Sequence, residues 1–345
     1  MTEARLKQPL YLQPILMDRV WGGNRLPTLF GRPATPDKVI GESWELADRP
    51  EAQSAVVDSA TPGVTVRQLL EQYPEQILGQ ALAARRPARF PLLVKYIDAG
   101  QTLSVQVHPD DQGAAAHHDR GKAECWVVVH AEPGARIIRG LKPGTTRAQL
   151  EQELTKGKVE DVLHVFEPHV GDVVALPPGM VHALGAGLIV AEVQQNSDLT
   201  FRLYDHNRVD RNGNGRKLHI AEALDAIRFD GSGSEFPGNV AADTWTPLYR
   251  RRRAGVTVEH ILQGQYFDLF RYRLAPGARM ALEALPTAPR VLMAIAGVGR
   301  LGRQVIKGGQ TVLLPAAARA MAVSARKGAS GELILLATSP TLAAC

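Results

Sequence analysis

Along the first third of the chain, apolar and polar positions alternate in runs too short for helices. Leu10-Tyr-Leu-Gln-Pro-Ile-Leu16 and Gly41-Glu-Ser-Trp-Glu-Leu46 read as strands, with Trp21-Gly-Gly23 between them. Thr65-x-x-Gln68 has the form of a capping box and predicts a helix from Val66 to about Tyr73. Pro74 interrupts it, and a second short helix is expected to continue to near Arg85. From Phe90 the runs are again strand-like: Pro91-Leu-Leu-Val-Lys-Tyr-Ile97, Leu103-Ser-Val-Gln-Val-His108 and Glu124-Cys-Trp-Val-Val-Val129. They are short and rich in β-branched and aromatic residues, which favours strands over buried helices. Thr146-x-x-Gln149 opens another helix through Glu153 that Gly157 ends, and a helical segment is expected over Val159–Phe166. A helical insertion over residues 146–166 thus divides the strands. Leu218–Ile227 predicts one more helix, and Gly231-Ser-Gly-Ser-Glu-Phe-Pro-Gly238 a linker or exposed loop.

Two stretches repeat. Gly309-Gln-Thr-Val-Leu-Leu-Pro315 echoes Gly171-Asp-Val-Val-Ala-Leu-Pro177, and superposing them puts Ala320 where His182 stands. The first copy continues as Pro177-Pro-Gly-Met-Val-His182, giving Gly, five residues, Pro, any residue, Gly, two residues, His. Upstream, Gly100 is followed after five residues by Gln106-x-His108. Both spacings, in this order, resemble the two metal motifs of the cupin barrel. The resemblance implies a mainly β protein of two cupin-type jelly-roll barrels with a small helical insertion. Residues 1–230 would form the metal-binding barrel, with helical segments at about 65–85 and 146–166. Residues 239–345 would form a degenerate second barrel without metal ligands.

The third ligand of the first motif is expected after a longer loop, at Glu124. A carboxylate opening so apolar a strand is costly to bury unless a positive charge meets it, and a divalent metal would serve. Gln106, His108, Glu124 and His182 form a borderline-hard set that suits one Zn²⁺ per chain, with Mn²⁺ and Fe²⁺ as alternatives. His117 and His118 lie in a polar Gly/Ala-rich loop and read as solvated, while His130, His164, His169 and His206 fit neither spacing.

Composition narrows the function classes. The 345 residues include 32 Gly and 23 Pro, in keeping with many strands and tight turns. No apolar run is long enough to span a membrane, and the first residues carry no signal-peptide core. With only Cys125 and Cys345, a disulfide framework is not expected and a cytoplasmic protein is. The net charge of +5 could suit nucleic acid, but the basic residues are scattered rather than interleaved with aromatics. Arg250–Arg253, the one dense run, reads as a solvated strand edge or turn, and the overall charge as attraction for a small anion. The expected partner is therefore a small molecule, with no nucleic acid and no membrane. There is no P-loop and no Gly-x-Ser-x-Gly elbow. Gly297-Val-Gly-Arg-Leu-Gly302 lacks a βαβ context and reads as a hairpin turn.

Over nearly its whole length the chain resembles the type I mannose-6-phosphate isomerases, and their smaller bacterial branch in particular. The residues that carry the resemblance are Leu10 through Gly23, Gly41–Leu46, Leu93-Val-Lys-Tyr-Ile-Asp98, Leu103–Asp110, Gly121-Lys-Ala-Glu-Cys-Trp126 and Pro178–Leu184. The resemblance implies zinc on Gln106, His108, Glu124 and His182, and interconversion of mannose 6-phosphate and fructose 6-phosphate through an enediol. It also points to Glu192 as proton carrier and Arg202 as the cation that stabilises enediolate oxygens. The alternatives are ion pairing of Glu192 with a nearby Lys or Arg, and a salt bridge from Arg202 to Asp198 or Asp205. Lys95, Ser104 and Lys122 are candidates for the substrate phosphate, some way from the metal. After Arg202, Leu-Tyr-Asp-His-Asn departs from the longer eukaryotic form. A non-catalytic sugar-sensing cupin is the alternative function, and it would need no base. An iron dioxygenase is a further one, which Gln106 fits poorly.

Overall fold

The computed structural model describes residues 2–33, 37–57, 63–209, 213–229 and 246–345. The expected linker at Gly231–Gly238 lies outside the described residues. With 40% strand and 17% helix the protein is mainly β.

A six-stranded antiparallel sheet runs in the order Val173–Leu176, Glu124–Ala131, Leu188–Gln195, Leu92–Ala99, Ile40–Leu46, Ile15–Asp18. A five-stranded sheet runs Leu163–Phe166, Ile137–Leu141, His182–Leu184, Val105–Val107, Phe201–Tyr204. The C-terminal third supplies most of a seven-stranded sheet and a four-stranded one. Each of these has two edges among the described residues, so the strand pairings form open sheets rather than closed barrels.

The central strands Leu92–Ala99 and Leu188–Gln195 are buried along their full length, because the six-stranded sheet is covered on both faces. That is why they read as unbroken apolar runs. Strand alternation then sorts their side chains. Val94, Tyr96, Cys125, Val127, Ala191 and Val193 enter a core shared with Leu269, Val291, Met293 and Leu336 of the seven-stranded sheet. Ile97, Trp126, Val128, Val174 and Val190 enter a second core together with Ile137 and Leu184 of the five-stranded sheet. Lys95, Glu124 and Glu192 have the parity of this second set, which carries charged groups into the space between the six- and five-stranded sheets.

Several expectations are corrected. Val159–Phe166 is not one helical segment: a 3-10 turn covers Val159–Val162, and Leu163–Phe166 is a strand paired with Ile137–Leu141. Its apolar positions Leu163 and Phe166 fit a short helix or strand equally well, and an available sheet edge decides the matter. The helix after Pro74 divides into Pro74–Leu78 and Gln80–Ala83 at Gly79, whose φ is 82°. A Cβ there would meet the Pro286 and Thr287 carbonyls at 2.8 and 2.7 Å, so only glycine allows this approach. Within the Gly-x-Gly-x-x-Gly run, Val298–Leu301 is itself a strand, and the turn falls at Gly302 before Gln304–Lys307. Leu10–Tyr11 pairs with Thr311–Leu314, so the N-terminus completes the seven-stranded sheet instead of staying within the first unit. Both capping boxes form, at Thr65 and Thr146. Arg250–Arg253 lies in the exposed edge strand Tyr249–Arg253.

Candidate active site

Two rows of residues face one another. Across the five-stranded sheet, Arg202 lies opposite Gln106 and Gln106 opposite His182. Across the six-stranded sheet, Glu192 is flanked by Trp126 on one side and Lys95 on the other. His108 follows the strand Val105–Val107, and Glu124 opens its own strand.

His108, Glu124 and His182 offer ligand atoms that all lie within 4.8 Å of one another. Each imidazole Nε2 is 3.4 Å from a different Glu124 oxygen. The rings are held from behind, His108 Nδ1 donating to the Leu199 carbonyl at 2.8 Å and His182 Nδ1 to that of Met180 at 2.9 Å. With the proton on Nδ1, the Nε2 lone pair faces the cluster, as a metal requires. Burial, with the Lys122 ammonium adding to it, presses the His108 pKa down to about 3, and burial also lowers that of His182, so both rings are neutral. Burial opposes ionisation of Glu124, but the Lys122 ammonium holds its carboxyl well below the usual range. Both Glu124 oxygens are buried without a hydrogen bond of good geometry. Gln106 completes the group, its amide nitrogen 3.4 Å from His182 Nε2 and its oxygen accepting from Ser104 Oγ at 3.1 Å. A half-turn of the amide points the oxygen at the cluster. These residues fit a divalent cation: a buried carboxylate with unsatisfied oxygens, two neutral imidazoles with lone pairs turned inward, and an amide.

Glu192 lies next to this group. Its Oε1 accepts from Trp126 Nε1 at 2.6 Å and its Oε2 is 2.8 Å from Lys95 Nζ. Burial and the Glu124 charge push its pKa up to about 7 against the pull of Lys95. Glu42 lies 3.7 Å from Lys95 on the other side and is itself tied to Arg19 and Trp44. Burial works against the Lys95 ammonium, but Glu192 and Glu42 outweigh it and hold its pKa above the ordinary value. The alternative expected for Glu192, pairing with a lysine, is therefore present together with its place beside the metal ligands.

The phosphate candidates do not stand apart from the metal site as expected. Lys122 Nζ is 2.5 Å from Glu124 Oε1, within the ligand cluster, and Lys95 is engaged by Glu192. Sequence order shows that these lysines flank the ligand segments, but not which carboxylate each one opposes. Ser104 alone turns toward a cation with no ion pair among the described residues, its Oγ accepting from Arg202 Nε at 3.2 Å while Arg202 Nη1 donates to the Lys217 carbonyl. Arg202 makes no ion pair with Asp198 or Asp205 among the described residues, since Arg216 holds Asp205 with two short contacts. Burial, then Arg216 and Arg208, press the Arg202 pKa below its ordinary value. Arg208, whose buried Nη1 lies 3.5 Å from Asp205 without forming a hydrogen bond, belongs to this cluster and was missed by sequence reasoning, as was Glu42. Glu42 stood in a recognised motif without a role. Arg208 lies in the segment where that resemblance ends.

Comparison with known proteins agrees with this arrangement. The family model for the phosphomannose isomerase type I catalytic domain matches residues 10–122. A mannose-6-phosphate isomerase of Streptococcus mutans is 32% identical over 90% of this chain and 93% of its own. The mannose-6-phosphate isomerase ManA of Bacillus subtilis is 33% identical over 89% and 93%. A crystal structure of the mannose 6-phosphate isomerase from Bacillus subtilis superposes with a TM-score of 0.81 at 29% identity, covering 96% of this chain and 99% of that one.

Proposed function

Because this chain belongs to the type I phosphomannose isomerases, a family of aldose–ketose isomerases, we propose that it interconverts mannose 6-phosphate and fructose 6-phosphate through an enediol, with zinc held by Gln106, His108, Glu124 and His182. The observation that carries this reading is the juxtaposition of the His108–Glu124–His182 cluster with a second buried carboxylate, Glu192, whose pKa is raised to about 7. A site that only bound sugar would have no use for that group.

When bound, zinc supplies an electrophile that polarises the substrate's oxygen atoms. Glu192 takes the proton from the carbon next to the carbonyl and returns it to the neighbouring carbon, a task suited to a base poised near neutrality. Trp126 and Lys95 fix the carboxylate from two directions, so its orientation is set before substrate arrives. Arg202, a permanent cation, stabilises negative charge on the enediolate oxygens. The phosphate is assigned to Ser104 and to Arg208 beside Arg202, where Asp205 already has two short contacts from Arg216 and only a 3.5 Å one from Arg208. Lys95 and Lys122 act instead on the charge of Glu192 and Glu124.

The same reading takes the six- and five-stranded sheets as the two sides of one jelly roll, within residues 1–230, and the seven- and four-stranded sheets as the second, over 239–345 with Leu10–Tyr11 added at one edge. The apolar cores between each pair support it. It also places the protein in the cytoplasm. No helix among the described residues is long and apolar enough to cross a membrane.

The test is a coupled assay for fructose 6-phosphate formed from mannose 6-phosphate, on metal-stripped and zinc-restored protein in parallel. Activity is expected to vanish with the metal and return with zinc. Zinc binding without turnover on this sugar would reject the substrate assignment.

A further inference from the structure

The loop that leaves His108 passes through His118, Asp119 and Arg120 before returning at Lys122. Beside those three residues lies a cavity of about 220 Å³ that the chemistry above does not use. Its walls include Phe90 and Pro91 from one strand start and Gln195 and Asn196 from the end of the Glu192 strand.

Its charge balance is uneven. Asp119, the one carboxylate among the lining residues, lies 3.2 Å from Arg49 and 3.5 Å from Arg89. Arg49 is also held by Glu51 at 2.6 Å. Glu51 and Asp119 together therefore balance Arg49 and Arg89, which leaves the charge of Arg120 over. The Arg120 side chain is half-buried, its charge acts on the Cys345 thiol, and it meets no carboxylate within ion-pair distance among the described residues. A half-desolvated guanidinium facing a cavity, with a second arginine and a histidine beside it, is poised for an oxyanion that accepts two parallel hydrogen bonds. His118 is held at φ 54°, a conformation that residues other than glycine seldom adopt. The cavity's volume leaves room for a small body attached to that anion, against the buried Phe90 and Pro91.

We propose that this cavity is a second anion site, separate from the metal centre, that takes a small phosphate monoester, with Arg120 as its main contact and Arg89 and His118 beside it. The site does not depend on the isomerase reading. It does touch the metal strand. Gln195, which lines the cavity, accepts a hydrogen bond of 2.9 Å from the Ala123 backbone, between Lys122 and Glu124.

Isothermal titration calorimetry with inorganic phosphate, on the full metal-loaded chain and its Arg120→Ala and Arg89→Gln variants, tests the proposal. Removal of the Arg120 charge is expected to weaken one binding event by about tenfold or more. Arg89→Gln, a milder change on a surface ion pair, is expected to weaken the same event less. Turnover and KM for the sugar phosphate should stay at wild-type values in both, because neither residue contacts the metal cluster. Isotherms of both variants that superpose on the wild type would overturn the proposal.

Discussion

At the scale of single residues, the site depends on two buried carboxylates held in different protonation regimes. Glu124 is kept ionised by Lys122, while burial and the charge of Glu124 raise Glu192 to about 7. If Glu192 is the base, it works only when ionised. Zinc on Glu124 would offset part of the charge that raises Glu192, so kcat/KM should fall by about tenfold per pH unit below a midpoint under 7 and level off above it. Glu192→Gln should lower kcat by about 10²–10⁴-fold and abolish that limb while leaving bound zinc unchanged. Near-normal turnover with zinc in place would remove Glu192 from the chemistry. Trp126→Phe deletes the 2.6 Å hydrogen bond to Glu192 but keeps the ring. A role in orientation predicts a kcat lowered by about tenfold, little change in KM, and a shifted midpoint of the pH profile. The grouping of His108 and His182 with Glu124 was legible in the sequence because turn geometry fixes where each histidine follows its glycine. The partners of Lys95 and Lys122 were not, because charge pairing across a sheet depends on register, which no spacing along one strand reveals.

At the scale of elements, local signals succeeded where local forces decide. Thr65 and Thr146 cap their helices by reciprocal hydrogen bonds with Gln68 and Gln149, all within three residues. They failed where a distant edge decides. Leu163–Phe166 becomes a strand because Ile137–Leu141 offers it backbone partners, and Leu10–Tyr11 finds its partner some 300 residues away. That last pairing has a measurable consequence. Leu10 is fully buried in the core shared by the six- and seven-stranded sheets. Leu10→Ala should destabilise the protein by about 2–5 kcal/mol, since a rigid sheet cannot collapse around the lost side chain. Chemical denaturation should show this as a lower midpoint in a transition of the C-terminal sheet. A variant as stable as the wild type would mean that the N-terminal strand contributes little to that sheet.

At the scale of the whole molecule, the shared core determines how the candidate metal site relates to folding. One apolar cluster runs from Leu6 through Val94 and Cys125 to Leu336 and Ala344, so the sheet that carries Glu124, Lys95 and Glu192 is clamped between two others. The histidines are oriented by backbone carbonyls, and His182–Leu184 and the first five residues of Glu124–Ala131 are buried. The ligand geometry is thus imposed by the fold, unlike that of a small zinc domain, where the metal gathers the chain. Chelation should therefore leave secondary structure intact and act only through mass action. A ligand present at 100 times its dissociation constant contributes about 2.7 kcal/mol. For a chain of this size that corresponds to a fall in Tm of roughly 3–6 °C on metal removal, with recovery when zinc is restored. Differential scanning calorimetry with circular dichroism on the same samples separates the possibilities. A small reversible shift at unchanged ellipticity is what a preformed site requires. Loss of β-structure on chelation would instead make the metal part of the folding core, and the clamped sheet would not be what holds Glu124 in place.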